Sequence, residues 1–367
     1  MSRKKLRDRD APISKEGIIF RVLGYDHPKS GYICDPEYAP ATIYKSNNKR
    51  APRTGCKILY YKFYQDEGLK FILNRYPQYQ VYFDVLGTYL VGIRNDMIVE
   101  CRYPDEKLKR ILETADVVDP LVELLIKILD EITGRSKLKI RDFGVFGSLL
   151  HDFYHVNYSD IDLVIYGRRE TEELRNLLSE LFKENNTRWL NEFVHWRLTM
   201  SEKVWRFKNI SFDEFISHGA RKLIYCIYDA RSEKLGRFVK VEFEPVKKWD
   251  EISPLYTPGT RVRKVGWIEC LAKVRDDTDS MFFPSVYEIE DVTIMKGPKT
   301  DDIIRVVSYV EEFRLQAYKD EEVFISGWLE EVKPPDKGEF FQIVLTYGPR
   351  YYEQTLKVKN YSGKTVN

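Results

Sequence analysis

One short segment constrains the fold of this 367-residue chain more than any other. Between residues 139 and 166 an apolar run ends in Gly147-Ser148, and a second apolar run opens with Asp160-Ile161-Asp162. Residues 170–185 then place leucine and phenylalanine at the spacing of an amphipathic helix. This order predicts a mixed α/β unit of strand, turn, strand and helix, with the two aspartates at the start of the second strand.

Asp160 and Asp162 are the candidate chemical centre. Residues i and i+2 of a strand share a face, so the two carboxylates project together, about 6–7 Å apart. Such a pair repels unless a cation lies between them, and Mg²⁺ prefers oxygen ligands that it shares with substrate phosphates. The alternative is that Ser159 and Asp160 only cap a turn. Because Asp is disfavoured inside strands, the pattern favours a metal site.

Gly147-Ser148 is a candidate phosphate site. A glycine lets the backbone approach a ligand closely, and the N–H groups of the following turn, together with the Ser148 hydroxyl, can cradle a phosphate. An ordinary helix-capping role for Ser148 uses the same N–H groups and is compatible with this one. A phosphate cradle beside a carboxylate-held metal predicts phosphoryl or nucleotidyl transfer.

The Gly-Ser followed by Asp-x-Asp resembles the signature of the polymerase-β-type nucleotidyltransferase superfamily, and the full chain is similar to archaeal predicted nucleotidyltransferases. The resemblance implies a polymerase-β-like nucleotidyltransferase domain that moves an NMP from an NTP to an acceptor hydroxyl with Mg²⁺ or Mn²⁺. Asp160 and Asp162 would then be catalytic metal ligands. Gly147 and Ser148 would bind the nucleotide.

The family places a third acidic residue on a later strand, for which Glu242 and Glu244 are the candidates. Both lie on the polar face of the predicted strand 237–246 and either could reach the metals. We favour Glu242 as the third catalytic carboxylate because it is in mid-strand, whereas Pro245 follows Glu244. The family residue is more often Asp, and Lys240 shares the face. A weak or inactive site is therefore an open alternative.

The order of predicted strands, turns and helices along the chain predicts an α+β protein of three domains. Residues 1–112 form an N-terminal β-rich domain that begins with a solvated basic tail over residues 1–10, residues 113–252 form the nucleotidyltransferase domain, and residues 253–367 form an OB-like β domain. Helices are predicted near 67–74, after Asp119-Pro120, and near 300–313.

Residues 44–64 are the candidate nucleic-acid segment, since they carry six Lys/Arg, no acid and five Tyr/Phe. Cations for phosphates and rings for stacking are what single-stranded nucleic acid requires. The predicted contacts, to single-stranded or structured RNA, come from Lys49, Arg50, Arg53, Tyr60 and Tyr61. The alternative is a basic loop that leads into a half-buried strand. A competing function is a catalytically weak or inactive nucleotide- or RNA-binding module of a ribonucleoprotein.

Composition limits the class of protein and its compartment, but it does not identify a binding partner. The net charge of +2 does not by itself indicate nucleic acid, so the partner must be sought in local patches. No apolar run reaches the ~18–20 residues of a membrane span, and we expect a cytoplasmic protein. The five cysteines form no C-x-x-C pair, and the few glutamines favour a thermophilic source. The oligomeric state is not indicated.

Overall fold

The computed structural model describes residues 5–55, 58–114, 119–348 and 350–359. Residues 1–4 of the predicted basic tail, Cys56 and residues 360–367 lie outside these ranges. The fold is a mixture of helices and several β-sheets, as the sequence predicts. The chain divides into two compact units, one from residues 1–177 and 228–255 and the other from residues 178–227 and 256–367. The three-domain boundaries stay a prediction.

The first unit begins with an antiparallel sheet built from the apolar-aromatic runs that predicted strands. Its strands follow the order β4-β5-β3-β2-β1-β8, and β7 pairs with both β3 and β6. The strands are β1 (Ala11–Ser14), β2 (Ile19–Val22), β3 (Gly31–Pro40), β4 (Pro52–Gly55), β5 (Ile58–Lys62), β6 (Gln80–Phe83), β7 (Thr88–Arg94) and β8 (Ile98–Arg102).

Three helices occur in the chain between β5 and β9 (Phe143–Val145), of which two were predicted. They are α1 (Glu67–Arg75), α2 (Pro104–Glu113) and α3 (Pro120–Arg135). The Asp119 carboxylate caps α3 by accepting the N–H groups of Leu121 and Val122 at 2.9 and 3.1 Å. The helix α2, whose first position is Pro104, was not predicted from the sequence. Among the described residues, no helix combines the length and apolar character that crossing a bilayer requires.

A second sheet holds the Gly-Ser and Asp-x-Asp segments. The elements that follow α3 are β9 (Phe143–Val145), α4 (Gly147–Leu150), β10 (Ile161–Tyr166), α5 (Arg168–Leu181), β11 (Trp189–Asn191), α6 (Phe212–Lys222), β12 (Tyr225–Ala230) and β13 (Arg237–Val246). Four of the strands lie in the order β12-β13-β10-β9. β10 runs parallel to β13 and antiparallel to β9. The predicted strand-turn-strand-helix order is therefore present.

One hydrophobic core within the first unit joins its two sheets. Tyr38 and Tyr60 of the antiparallel sheet pack with Val164 of the second sheet and with Phe153, which lies between α4 and β10. The ring centroids of Tyr60 and Phe153 are 4.7 Å apart. This packing fixes β5 close to the start of β10, where the aspartates lie.

The second unit is dominated by long antiparallel strands. They are β14 (Arg261–Asp276), β15 (Ser285–Lys296), β16 (Ile303–Ser308), β17 (Glu322–Lys333), β18 (Phe340–Leu345) and β19 (Thr355–Val358). β14 pairs with both β15 and β17, which closes a ring in the order β14-β15-β16-β18-β17. β16 and β18 are parallel. The helix predicted near 300–313 is wrong, since Ile303–Ser308 is a strand, as its β-branched residues favour.

The predicted solvated tail is also wrong for residues 6–10, although Lys5 is exposed. Residues 6–10 are buried. The Asp10 carboxylate accepts the Arg7 N–H at 3.0 Å, and Asp8 accepts the Gly24 N–H at 2.9 Å. The Arg9 guanidinium contacts Glu244 at 2.6 Å. Acids interleaved with the basic residues let this charged segment be buried with its charges paired.

Candidate active site

Three acidic side chains lie together on two parallel strands, two of them at the start of β10 and one in the middle of β13. Asp162 on β10 is the direct neighbour of Glu242 on β13, and Asp160 immediately precedes β10. The main-chain N–H of Lys240 donates to the Asp160 carboxylate. Because directly paired residues of neighbouring strands project from the same face, Asp162 and Glu242 face the same side of the sheet.

The two aspartates lie in surroundings that disfavour the ionised form of their carboxyl groups. Burial, then the carboxylates of Glu242 and Asp160, raise the pKa of Asp162 to about 8, although Lys62 and Lys240 act in the opposite direction. Desolvation also raises the pKa of Asp160. A carboxyl cluster that resists ionisation gains much from a bound cation. The oxygen donors therefore fit a hard divalent ion such as Mg²⁺ or Mn²⁺.

The three acids interact electrostatically without being drawn together as ligands of one metal ion. Across residues 5–55, 58–114, 119–348 and 350–359, no three His, Cys, Asp or Glu side chains are grouped closely enough to hold a metal ion. The Glu242 carboxylate forms an ion pair with the Lys240 ammonium instead. The site thus has an aspartate pair, Asp160 and Asp162, and a glutamate that already forms an ion pair with Lys240.

Glu244, the other candidate for the third acid, lies farther from the aspartates in register. It is the neighbour of Val164 rather than of Asp162. Its carboxylate is paired with Arg9, whose side chain is fully buried. Of the two glutamates, Glu242 therefore has the position that a third metal ligand needs.

Gly147 is required by the geometry of the site for two reasons. Its φ of +56° lies in the left-handed region, which favours glycine. A Cβ atom at this position would also collide with the Asp162 carboxylate. The Phe146 N–H donates to the Asp162 carbonyl at 2.8 Å and holds the two segments together. Ser148, the next residue, is half-buried and lines a cleft together with Asp160 and Asp162.

The loop that leads to the aspartates is anchored by Arg237, which the sequence analysis did not select. Its guanidinium donates to the carbonyl oxygens of Ser159 and Val156 at 2.6 and 3.1 Å. The Ser159 hydroxyl accepts the His155 N–H at 2.8 Å. The sequence signal for this role was its position, since Arg237 is the first residue of the strand that carries Glu242. Arg237 therefore positions Asp160 through the loop that precedes it.

A cleft of about 620 Å³ brings the aspartates together with the basic segment 44–64. Gly147, Ser148 and the two aspartates line one wall. The opposite wall comes from the β4–β5 region of the same unit. Its lining residues are Lys49, Arg50, Pro52, Arg53, Thr54, Lys62 and Tyr64, and Tyr38, Phe153, His155, Tyr158 and Ser159 complete the cleft. The predicted nucleotide-binding and basic nucleic-acid-binding residues thus share one site.

Three of these cations have no acidic partner. Lys49, Arg50 and Arg53 form no ion pair with any carboxylate in the part of the chain that the structure describes. The Arg53 guanidinium donates instead to the main-chain carbonyl oxygens of Arg50 and Pro52. Since many other lysines and arginines here are paired, this unpaired basic wall provides a place for an anionic ligand.

Lys62 lies between the basic wall and the aspartates. Its pKa is raised, most by Tyr38 and further by Glu37 and Asp162, against the lowering effect of burial. Its ammonium lies 6.0 Å from the centre of the Tyr38 ring. The sequence analysis included Lys62 in the basic segment but did not single it out, because only the packing of β5 on the second sheet brings it to Asp162.

The tyrosines predicted to stack on bases are not available for that role. Tyr60 and Tyr61 are each only 9% exposed, and Tyr60 belongs to the core between the sheets. The Tyr61 ring packs edge-on against Tyr44. Both tyrosines are covered because Tyr60 packs into the core between the sheets, whereas Tyr61, which projects from the other face of β5, packs against Tyr44. The exposed aromatic residue of the cleft is Tyr158, which is 80% exposed.

Comparisons with known proteins agree with the resemblance read from the motif. Residues 125–218 match the family model described as nucleotidyltransferase domain. The chain is 26% identical over 371 aligned residues to an uncharacterized protein of the archaeon Methanocaldococcus jannaschii, covering 97% of this chain and 99% of that protein. No solved structure is significantly similar. The matched segment, which contains Gly147, Ser148, Asp160 and Asp162, is thus similar to nucleotidyltransferase domains.

Proposed function

We propose that this protein is a divalent-ion-dependent nucleotidyltransferase that moves an NMP from an NTP to a hydroxyl of an RNA acceptor. One observation carries the proposal: a single cleft has an aspartate pair of raised pKa on one wall and unpaired cations on the other. Phosphates with a divalent counter-ion are the ligand class that matches both walls.

Asp160 and Asp162 would hold Mg²⁺ or Mn²⁺, and Glu242 is the third acid of the centre. When bound, such an ion neutralises phosphate charge and makes an acceptor hydroxyl more acidic. Gly147 leaves space for the Asp162 carboxylate, and the Ser148 hydroxyl can donate to a phosphate oxygen. Lys62 adds a fixed positive charge beside the reacting phosphates. Catalysis would rest on positioning and on charge placed before the substrate arrives.

The RNA acceptor is supported by features of both units. In the first, Lys49, Arg50 and Arg53 offer charges for a phosphate backbone, and exposed Tyr158 offers a ring for a base. In the second, we propose an OB-like barrel. Its ring of first, second, third, fifth and fourth strands, with the third and fifth parallel, supports that assignment. Barrels of this kind commonly bind oligonucleotides.

The alternative is a nucleotide- or RNA-binding module without turnover. The ion pair between Lys240 and Glu242 favours it, because a third acid bound to lysine is less available to a metal. The two functions share the cleft and differ in whether a nucleotide becomes covalently attached.

The test is to incubate the full chain with each α-labelled NTP, Mg²⁺ and total cellular RNA. We expect label in RNA together with one pyrophosphate for each nucleotide transferred, and no label with Asp160→Asn. RNA binding without label from any NTP would support the binding module instead. Label in a small molecule or a protein, with none in RNA, would keep the transferase and reject the RNA acceptor.

A further inference from the structure

The ion pair of Lys240 with Glu242 occupies the position where the third acid would meet a metal. The two residues are i and i+2 on β13 and share one face of the strand. Their side chains are both about one-quarter exposed, so the pair lies partly out of water. Since residues 241–246 of β13 pair in parallel with residues 161–166 of β10, the preceding Lys240 is held beside the aspartates by regular structure.

The influence of Lys240 extends to the aspartates. Its charge lowers the pKa of both Asp160 and Asp162, and its main-chain N–H donates to Asp160. Lys240 is thus within electrostatic reach of all three carboxylates. Three carboxylates, one divalent ion and the Lys240 ammonium sum to no net charge, and Lys62 and Arg237 add positive charge near the aspartates. A second divalent ion would have to approach an ammonium that is already in place, which is unfavourable at short range.

We propose that the Lys240 ammonium takes the place that a second divalent ion would occupy, so that the protein binds a single ion at Asp160 and Asp162. Glu242 then acts through Lys240 by holding the ammonium in position. The inference rests on the proposed function, since it concerns the ion of the same site. Glu242 is a positioning residue under this proposal, and Lys240 supplies a fixed charge where a second ion would otherwise lie.

The experiment counts Mn²⁺ bound to the full chain, by the electron paramagnetic resonance signal of free Mn²⁺, without nucleotide and without turnover. We expect one ion for the wild type and for Lys240→Arg, which keeps the charge. Lys240→Gln frees Glu242 and should bind a second ion at least about tenfold more tightly than the wild type does. Lys234→Gln removes a lysine that pairs with Glu123 and should bind one ion, as the wild type does.

Two ions of similar affinity in the wild type, or one ion in Lys240→Gln, would overturn the inference and leave the transferase proposal intact. No bound ion in the wild type would overturn both. Thermal unfolding of each variant checks that the fold is kept. A misfolded Lys240→Gln would leave the decision to the wild type and Lys240→Arg, where two ions in either protein would reject the single-ion centre.

Discussion

Glu242 and Glu244 lie two residues apart on the same face of β13, and their surroundings are opposite. Glu244 is paired with Arg9, a fully buried cation from the N-terminal segment. Glu242 lies beside Asp162, and burial with the neighbouring carboxylates raises the pKa of Asp162 to about 8. The first arrangement matches charges and holds the unit together. The second keeps carboxyl groups close together, and a bound cation would stabilise their ionised form.

The cations of the first unit show the same division. Arg9 has no exposure to solvent and is part of the folded core. Lys49, Arg50 and Arg53 line the cleft without a carboxylate partner among the described residues. Matched charges therefore indicate structure, and unmatched charges of both signs in one cleft indicate binding. Each prediction below tests one side of this comparison.

The largest expected effect is on turnover in Asp162→Asn. Removal of a metal-binding carboxylate should lower nucleotide transfer by about 10⁴-fold, or roughly 5.5 kcal/mol in activation free energy. The same substitution removes a carboxylate that is repelled by Asp160 and Glu242, so the free energy of unfolding without metal should not fall. Asp130→Asn, an exposed aspartate on α3, is the matched control and should keep full activity. A large loss of stability in Asp162→Asn would favour a turn-capping role.

The raised pKa of Asp162 also predicts a pH dependence of stability without metal. The unfolded carboxyl releases its proton near pH 4, whereas the folded one keeps it to about pH 8. Because the folded state binds more protons in this window, the free energy of unfolding should fall as the pH rises from about 4 to about 8. Denaturant unfolding across this range should show a smaller fall in Asp162→Asn. An unchanged profile would mean that Asp162 titrates normally.

Next in size is the stability effect of Arg9→Ala. This change leaves the Glu244 carboxylate, which is 12% exposed, without its cation, and should cost about 3–5 kcal/mol of unfolding free energy. The denaturation midpoint checks it, and Arg141→Ala on an exposed turn should cost far less. Residual folded protein should still bind nucleotide. Unchanged stability in Arg9→Ala would show that Arg9 does not stabilise the fold.

A smaller effect is expected when the basic wall is neutralised. For single-stranded RNA, the slope of log affinity against log salt should lose about 0.7 in magnitude for each phosphate contact removed. The triple change of Lys49, Arg50 and Arg53 to alanine should therefore reduce it by about 2. The control triple changes Lys109, Lys127 and Lys234, which all pair with glutamates. Equal losses in both triples would show that net charge, rather than the cleft, determines binding.

The sequence predicted those parts of the fold and site that depend on local pattern. Asp119-Pro120 indicated α3, and Asp160-Ile161-Asp162 indicated a strand with paired carboxylates, because caps and strand alternation are local. The buried segment 6–10 was mistaken for a solvated tail, since its charges are matched by residues distant in sequence. Lys62 was missed for the same reason. The sequence placed Lys240 and Glu242 on one face of a strand. Only the structure shows that their side chains form an ion pair.

The smallest expected effect separates the exposed ring of the cleft from the buried ones. Tyr158 is 80% exposed, and its ring lies 4.8 Å from His155, so a base can still reach one face. Tyr158→Ala should weaken binding of single-stranded RNA by about 1–3 kcal/mol with little change in the salt slope, because stacking adds no ionic contact. Tyr89→Ala, an exposed ring outside the cleft lining, is the control and should leave affinity unchanged. Tyr60→Ala should instead lower the unfolding free energy, since its ring is part of the core. If Tyr158→Ala and Tyr89→Ala bind equally well, bases do not stack in the cleft, and only its charges remain to hold RNA.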